Sequence, residues 1–428
     1  MNNLSHIGIT YFFLAIALML ITSCLMAYFS KKLNFPTLVG ELLAGVILGP
    51  TILGQFFPTF YNSFYGAPGI SQALNGLFDL AVVFLLFIAG MEVQWSLVRK
   101  NIKITTFTTF IGFCIPFVSS FTVAWYFSSL FIHEKTLVFA MFMGIACSIS
   151  ALPVIAGILM SLGMIRTKIG GIIMSSAMLT DIAGWFIFSI ILELNKKNTI
   201  ENSFILDIFY SLIMLLIMCL ILQFFSKKLL LWLHQNPLSK QFLLTLTLFF
   251  TLLSAGFTEL IHLHAALGAF IAGIIIGPVL LDTETKKVII LFVMNFFSPL
   301  FFISIGLKCN FLNNFDLLIT VVILFLACTS KIIGSSLGAF WGGISLRESL
   351  QVGFGLNVRG VMEIILGMIA LNVGLITPPI LVALVIMAIV TSVITPPILC
   401  YLNNVSIPTK HPINALPLGK RGMGSTDK

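Results

Sequence analysis

One acidic residue, Asp181, stands in the middle of an apolar stretch of the chain. It is the thirteenth of 24 residues in the stretch 169–192, which contains no other charged side chain. A carboxylate at membrane depth costs a few kcal/mol, so an acid is rarely found there without a role. It can hold a proton or, once ionised, a desolvated monovalent cation, and Thr180, Ser175 and Ser176 offer neutral oxygen ligands nearby. The sequence therefore predicts a site at Asp181 and Thr180 where a proton and a monovalent cation compete, with a purely structural carboxylate as the alternative.

A basic residue occupies a similar position in another apolar stretch. Lys331 lies near the middle of 317–340, and a lysine at that depth needs an acidic or carbonyl partner. We interpret Lys331 as a core charge partner that neutralises Asp181 in the empty site, or as a second titrating group. A purely structural counter-ion is the alternative.

Two further apolar stretches carry residues that interrupt helices. The sequence CSISALP spans 147–153, and GFGLNVRG spans 353–360 with an acid three residues later. The residues concerned are Ser148, Ser150 and Pro153 in the first stretch, and Asn357, Arg359 and Glu363 in and after the second. Backbone N–H and C=O groups that a helix break leaves without partners must, inside a membrane, be buried in protein or line a cavity. Paired interruptions in the two halves of a chain indicate a transport site. The half-helix ends would place partial charges beside an ion, and Arg359 and Glu363 are interpreted as an intrahelical pair.

The whole chain is too apolar for a water-soluble fold. It has 428 residues, of which 59% are hydrophobic and 9% are charged, and its mean hydropathy is +1.10; a soluble domain carries about 25% charged residues. Apolar segments of about 20 residues recur, which is the length that a helix needs to cross a bilayer. We therefore predict an all-α polytopic membrane protein with about thirteen transmembrane helices in residues 1–403, followed by a short cytoplasmic tail, 404–428. The expected spans are 8–29, 37–54, 74–91, 104–130, 137–160, 169–192, 205–225, 242–260, 262–280, 288–307, 317–341, 350–374 and 378–401.

The basic residues are distributed unevenly between the two sides of these spans. Seventeen of the 23 follow odd-numbered spans or lie in the tail, whereas four lie in the opposite loops. Because cytoplasmic loops carry an excess of lysine and arginine, this bias predicts an external N-terminus and a cytoplasmic C-terminus. It also explains the net charge of +8 without a nucleic-acid partner.

Two pairs of motifs suggest an internal repeat. VGELLAGVILGP (39–50) and LGAFIAGIIIGP (267–278) are identical at six of twelve positions, and LFIAGME (86–92) faintly matches FFISIGLK (301–308). The first pair falls on spans 2 and 9, which cross in opposite directions in the predicted topology. Spans 2–6 and 9–13 would thus form an inverted-topology repeat, which is typical of secondary transporters. Chance recurrence of a glycine-rich packing motif is the alternative.

Several motifs together resemble the monovalent cation:proton antiporter-2 family of the sodium/hydrogen exchanger superfamily, which includes Kef-type and plant cation/proton exchangers. The matching stretches, in family order, are GELLAGVILGP (40–50), LLFIAGMEV (85–93), SISALPVIAGIL (148–159), MSSAMLTDIAGW (174–185), SKIIGSSLGAF (330–340) and NVRGVMEIILG (357–367). The resemblance implies a mobile core of spans 4–6 and 11–13, a scaffold of spans 1–3 and 8–10 that forms a homodimer, and elevator-type alternating access. It matches Asp181 to the family's ion- and proton-binding aspartate and Lys331 to its core lysine.

The chain departs from this resemblance in two ways. Electrogenic, sodium-selective members often carry two consecutive acids where this chain has Thr180 and Asp181, so the simplest expectation is electroneutral exchange of one proton for one Na⁺ or K⁺. A second proton on Lys331 would change that stoichiometry. The tail is also too short for a Kef-type nucleotide-binding domain, which argues against nucleotide gating in cis.

Other classes of function fit the sequence less well. A cation channel or uniporter needs a pore lined by carbonyls or charged rings, and a transport-inactive sensor would not need Asp181 and Lys331; both remain alternatives.

No nucleophile–base pair indicates an enzyme, no cofactor is expected, and no metal is expected beyond the transported cation at Asp181. Seven scattered cysteines are interpreted as packing residues. The bilayer, protons, the cation and a second copy are the expected partners, in a bacterial inner (plasma) membrane.

The remaining ionisable residues near span ends are interpreted as structural, gating or interfacial groups. They are Glu41, Asp79, Glu92, Glu259, His262 and His264.

Overall fold

The computed structural model describes residues 6–32, 37–66, 68–93, 95–131, 136–197, 202–235, 242–261, 263–280 and 283–403. Every regular element in these ranges is helical, so the predicted all-α class is confirmed. The predicted tail, 404–428, lies outside the described residues.

In the described part of the chain the helices α1–α20 follow one another, with short π-helical segments at Asn62–Gly66 and Val293–Phe297. Their bounds are α1 His6–Lys32, α2 Thr37–Leu48, α3 Leu53–Phe56, α4 Pro58–Tyr61, α5 Pro68–Met91, α6 Trp95–Lys100, α7 Ile102–Tyr126, α8 Ser128–Phe131, α9 Thr136–Ala146, α10 Leu152–Ser161, α11 Lys168–Lys197, α12 Asn202–Gln235, α13 Leu243–Leu260, α14 Ala265–Leu280, α15 Thr283–Phe292, α16 Ser298–Lys308, α17 Leu317–Trp341, α18 Leu346–Leu356, α19 Val361–Asn372 and α20 Pro378–Asn403.

Nine helical stretches in the described ranges are long and apolar enough to cross a membrane, and α18 and α19 together, bent by 44°, make a tenth. Three shorter apolar helices lie at Leu137–Ala146, Tyr210–Ser226 and Ala265–Gly277. Large apolar side chains cover the outside; on α12, for example, Leu216 is 61% exposed and Leu220 is 58% exposed. Such a surface requires lipid, which supports an integral membrane protein; the count of thirteen spans stays a prediction.

Two close helix crossings are made by glycines. A Cβ atom placed on Gly306 of α16 would lie 2.0 Å from the carbonyl carbon of Gly45 on α2. A Cβ atom on Gly273 of α14 would lie 2.2 Å from the carbonyl oxygen of Phe87 on α5 and 2.9 Å from the Cα of Gly90. Because glycine has no side chain, these helix backbones touch directly.

The candidate site lies among helices that pack on one long pair, α7 and α17. Helix α9 packs on α7, α18 packs on α17, and α11 contacts both α7 and α18. The chain leaves helix between α9 and α10 and again between α18 and α19. Both breaks fall at the predicted sequences, because serine, asparagine, proline and glycine cannot continue the hydrogen-bonded ladder as well as apolar residues do.

Candidate ion-binding site

The two helix breaks meet and hydrogen-bond to each other. The backbone N–H of Ala151 donates to the carbonyl of Val358 at 3.0 Å, and the Ser150 hydroxyl donates to the carbonyl of Leu356 at 2.8 Å. Pro153 lies in the first turn of α10, where its missing N–H has no cost. Each break thus satisfies backbone groups that the other leaves open, although they lie some 200 residues apart in sequence.

Asp181 faces the beginning of α10 from the middle of α11. It is 1% exposed, and its carboxylate interacts favourably with the backbone N–H groups of Ser150 and Leu152. Helix N-termini attract negative charge, because their first N–H groups lack partners within the helix. Yet Asp181 Oδ1 makes no hydrogen bond to any described residue. One oxygen of a fully buried carboxylate is therefore available to a proton or a cation.

Thr180 is equally buried beside Asp181. Its hydroxyl donates to the carbonyl of Ala177 within α11, at 2.8 Å. The hydroxyl oxygen can still accept a hydrogen bond or bind a cation after that donation. Its role as a neutral ligand of the cation therefore stays a prediction.

Lys331 is fully buried and donates to the backbone carbonyl of Ser148, just beyond the end of α9. No ion pair within 4.0 Å joins Lys331 to Asp181, although both are described, but the two charges still attract each other. Of the two kinds of partner that the sequence allows for Lys331, an acid or a carbonyl, the ammonium contacts a carbonyl directly. The Ser148 hydroxyl lies 2.6 Å from the Gly144 carbonyl and 3.1 Å from the Phe113 carbonyl of α7, so its one proton is shared between them and holds this break against α7.

Arg359 binds the same helix end. Its guanidinium donates to the carbonyl of Ala146 at 2.6 Å, to the carbonyl of Cys147 and to Glu363 Oε1 at 3.1 Å. Carbonyls at a helix C-terminus carry partial negative charge, so Lys331 and Arg359 together neutralise the end of α9. Glu363 lies in the first turn of α19, where a helix N-terminus favours an acid.

The pairing of Arg359 with Glu363 is thus present, but it is not intrahelical. Arg359 precedes Gly360, the N-cap residue of α19, so the arginine belongs to the break and only Glu363 belongs to the helix. Asn357 is the C-cap of α18, and its Oδ1 is buried without a hydrogen-bond partner among the described residues. The geometry brings all the predicted residues of the two breaks to one crossing.

Sequence reasoning missed one acid whose charge reaches the site. The sequence indicates only that Glu92, just after α5, is near a span end, yet its charge acts repulsively on Asp181. Lys286 provides an opposite charge for it, and Glu92 Oε2 is buried without a hydrogen-bond partner in the described part of the chain. Nothing in the motif LLFIAGMEV could reveal this proximity, because it depends on how α5 packs.

The other ionisable residues near span ends have structural contacts. Glu41 accepts from the Ser298 hydroxyl at 2.9 Å, Glu259 accepts from the N–H of Ala265 at 3.0 Å, and the Asp79 charge acts on Lys308. His264 Nδ1 accepts from the N–H of Ala266, whereas His262 lies outside the described residues.

Several curated proteins are similar to this chain. Cation/H(+) antiporter 17 of Arabidopsis thaliana is 30% identical over 400 residues, covering 91% of the chain and 48% of the relative. Na(+)/H(+) antiporter NhaS4 of Synechocystis sp. is 31% identical over 369 residues, covering 83% and 88%. K(+)/H(+) antiporter 1 of Saccharomyces cerevisiae is 29% identical over 398 residues, covering 89% and 45%. The chain therefore spans about half the length of the plant and yeast relatives, and most of the cyanobacterial one.

A solved structure has the same fold. The sodium proton antiporter MjNhaP1 from Methanocaldococcus jannaschii at pH 8 matches with a TM-score of 0.65 over 91% of this chain and 96% of that protein, at 17% identity. A family profile described as sodium/hydrogen exchanger, transmembrane, matches residues 16–400. The predicted family is confirmed: this chain belongs to the sodium/hydrogen exchanger transmembrane family of monovalent cation:proton antiporters.

Proposed function

We propose that this chain is a secondary active antiporter that exchanges a monovalent cation, Na⁺ or K⁺, for protons at Asp181. The observation that carries the proposal is the buried Asp181 carboxylate, which has one oxygen free of described partners and lies at the crossing of two broken helices. The printed names of the relatives, Na⁺/H⁺, K⁺/H⁺ and cation/H⁺ antiporters, support the same class of transport.

Competition between proton and cation follows from the chemistry of this site. A carboxylate that binds either a proton or a cation, but not both, couples the two fluxes, because the carrier crosses only with its charge neutralised. The Thr180 hydroxyl and the carbonyls of the breaks are neutral oxygens, which suit a monovalent cation with part of its water shell removed. No cofactor is needed for this exchange.

Matching helix crossings support an inverted repeat. Gly45 meets Gly306 and Gly273 meets Gly90, and Gly45 and Gly273 hold the same position in the two copies of the longer motif. In the fainter pair, Gly90 and Gly306 are each the third residue from the end of the motif. A pseudo-two-fold relation, which an inverted repeat requires, would exchange one crossing for the other. In this proposal the three shorter apolar helices complete the thirteen spans.

Elevator-type movement is supported by where the charged groups lie. Asp181 lies in α11, Lys331 in α17 and Arg359 in the break between α18 and α19. All three positions fall within the predicted core, which comprises α7–α11 and α17–α20. These helices can carry the site as one body past the scaffold, α1–α6 and α13–α16, which forms the homodimer in this proposal. The N-terminus would be external and the C-terminus cytoplasmic, in a bacterial plasma membrane.

Electroneutral exchange is the simplest stoichiometry for this site. One carboxylate releases one proton for each cation that it binds, and Lys331 is held by the Ser148 carbonyl rather than by Asp181. This arrangement supports a lysine that stays charged through the cycle, so that no second proton is carried.

The test is cation-induced proton flux in proteoliposomes, with sodium and potassium added separately. We expect a flux that disappears in Asp181→Asn, while Glu259→Gln, a carboxyl that contacts Ala265 N–H outside the site, transports normally. Thermal melting in detergent shows that both variants fold. Undiminished exchange in Asp181→Asn would refute the proposal, and cation flux without proton movement would indicate a channel. For stoichiometry, valinomycin sets the voltage with sodium as substrate, and a rate that depends strongly on voltage would exclude electroneutral exchange.

A further inference from the structure

A small cavity lies between α4, the π-helical segment that follows it, the first turns of α5 and the end of α16. Its volume is about 110 Å³, several times the space that one buried water needs. Five of the side chains that line it are polar: Tyr61, Tyr65, Ser71, Asn75 and Lys308. The cavity is therefore both large enough and polar enough to hold a small charged group.

Tyr65 provides a buried hydrogen-bond donor in this cavity. Its side chain is 6% exposed, and its hydroxyl has no hydrogen-bond partner among the described residues. Tyr61 fixes the same wall, because its hydroxyl donates to the carbonyl of Leu307 on α16 at 3.2 Å and its ring centre lies 5.8 Å from that of Tyr65. Buried hydroxyls normally have a partner, so Tyr65 indicates that the occupant of the cavity accepts a hydrogen bond.

Lys308 gives the cavity a positive charge. It is the last residue of α16, and its ammonium donates to Asn372 Oδ1 of α19 at 2.8 Å. An ammonium has three donors, so two are left for the cavity. The charge of Asp79 attracts the same ammonium, but Asp79 is exposed, so water and salt screen its charge.

The polar lining suits an anion better than a cation. Ser71 and Asn75 lie one turn apart on α5 and add a hydroxyl donor and an amide donor to those of Tyr65 and Lys308. A cation would be repelled by Lys308. A phosphate group is acceptor-only, negatively charged and rich in oxygens, and lysine commonly binds it as a point charge.

Exposed aromatic residues next to the cavity indicate that it lies at the membrane interface. Phe56 is 72% exposed, Phe57 is 63% exposed and Phe60 is 42% exposed, and Phe60 directly precedes Tyr61 of the cavity wall. Large exposed apolar side chains in a segment between two spans mark contact with the membrane interface. Phospholipid phosphates lie at that depth, so a headgroup is within reach of the cavity.

We propose that this cavity, which we call the Tyr65–Lys308 pocket, binds a phosphate group, supplied by a phospholipid headgroup or by free phosphate. Lys308 neutralises part of the negative charge, and Tyr65, Ser71 and Asn75 donate to the phosphate oxygens. The pocket is on the predicted external side, because it follows span 2. Ordered waters are the competing occupant, since a water molecule also accepts a hydrogen bond from Tyr65.

Four variants test the charge and the buried donor. Lys308→Gln removes the positive charge and Tyr65→Phe removes the hydroxyl but keeps the ring, so each should weaken binding roughly tenfold or more. Asp79→Asn removes the nearby negative charge and should tighten binding up to about fivefold. Asn372→Ala is the matched control for Lys308→Gln: it breaks the same contact between α16 and α19 but keeps the ammonium, and it should bind like the wild type.

Binding is measured on delipidated protein in an uncharged, phosphate-free detergent, by native mass spectrometry and by the rise in melting temperature. The probes are phosphatidylglycerol, a diglucosyl diacylglycerol with the same acyl chains but no phosphate, and inorganic phosphate. We expect the wild type to retain one phosphatidylglycerol more than Lys308→Gln does, with no such difference for the glycolipid. Binding of inorganic phosphate that depends on Lys308 and Tyr65 in the same way would assign the phosphate to solution rather than to the lipid.

Three results would overturn the proposal. Equal retention of glycolipid and phosphatidylglycerol would mean that acyl chains carry the interaction. Equal binding of phosphatidylglycerol and of inorganic phosphate by the wild type, Lys308→Gln and Tyr65→Phe would leave the cavity to water. A loss in Asn372→Ala as large as that in Lys308→Gln would assign the effect to the helix contact. Melting temperatures without added probe show that the variants fold, and because no transport is measured, the outcome is independent of the antiport function.

Discussion

Glu363→Gln isolates the buried ion pair at the helix crossing. The Arg359 and Glu363 side chains are 0% and 2% exposed and lie 3.1 Å apart, so removing the negative charge leaves a guanidinium buried in a medium of low polarity. Breaking a buried pair costs about 3–5 kcal/mol. Glutamine keeps an oxygen that accepts the same hydrogen bond, and the carbonyls of Ala146 and Cys147 still hold the arginine. We therefore expect the lower end, about 3 kcal/mol.

The measurement is the free energy of unfolding in mixed detergent micelles titrated with a denaturing detergent. Glu348→Gln is the control, because Glu348 is only partly buried and its capping box with Ser345 at the start of α18 tolerates glutamine. Its expected change is within about 0.5 kcal/mol. A Glu363→Gln protein as stable as Glu348→Gln would refute the reasoning.

Replacing both partners separates the pair from the helix end. A buried pair exchanged for apolar residues is often neutral, but in Arg359→Met/Glu363→Met the Ala146 and Cys147 carbonyls also lose their donor. An unsatisfied buried group costs about 1–3 kcal/mol, so the double variant is expected to remain destabilised. If the double variant had the same free energy of unfolding as the wild type, the bonds from Arg359 to the end of α9 would contribute nothing to stability.

Three other predictions follow from the same geometry. Gly306→Ala and Gly273→Ala are expected to lower the melting temperature sharply, because their Cβ atoms would lie 2.0 and 2.2 Å from backbone atoms of the facing helix. Gly76→Ala has open space at that point and should stabilise the protein by up to about 1 kcal/mol. Equal melting temperatures for the three variants would contradict this prediction. Lys308 of α16 donates to Asn372 of α19 at 2.8 Å, a contact that joins the proposed scaffold to the proposed core. Cysteines at both positions, bridged by a short bis-maleimide, should therefore stop exchange, and transport that continues after complete bridging would argue against core movement. Lowering the pH on the cation side should raise the apparent KM for the cation without changing the maximal rate, since protons compete for the same carboxylate; a fall in maximal rate alone would exclude competition.

Local features of the sequence were sufficient to predict the helical class and the position of both breaks. Span length and hydropathy decide whether a helix can lie in a bilayer, and residues such as Ser150, Pro153 and Asn357 weaken the helix wherever the chain goes. Asp181 and Lys331 could be selected for the same reason, because the cost of a charge at membrane depth depends on its own span. The motifs in family order also predicted the family that the sequence comparisons confirm.

The partners of these residues depend on how distant helices cross, and only the tertiary structure reveals them. Ser150 bonds to Leu356, more than 200 residues away, and Lys331 donates to the Ser148 carbonyl rather than pairing directly with Asp181. The charge of Glu92 acts on Asp181 although the two residues lie on different helical segments far apart in sequence, which no local pattern encodes. Desolvation makes a charge expensive wherever its span lies in the bilayer, whereas a hydrogen bond needs its two atoms within about 3.5 Å and electrostatic attraction weakens with distance. The sequence alone therefore identifies Asp181 and Lys331 as functional candidates, and helix packing decides which groups neutralise them.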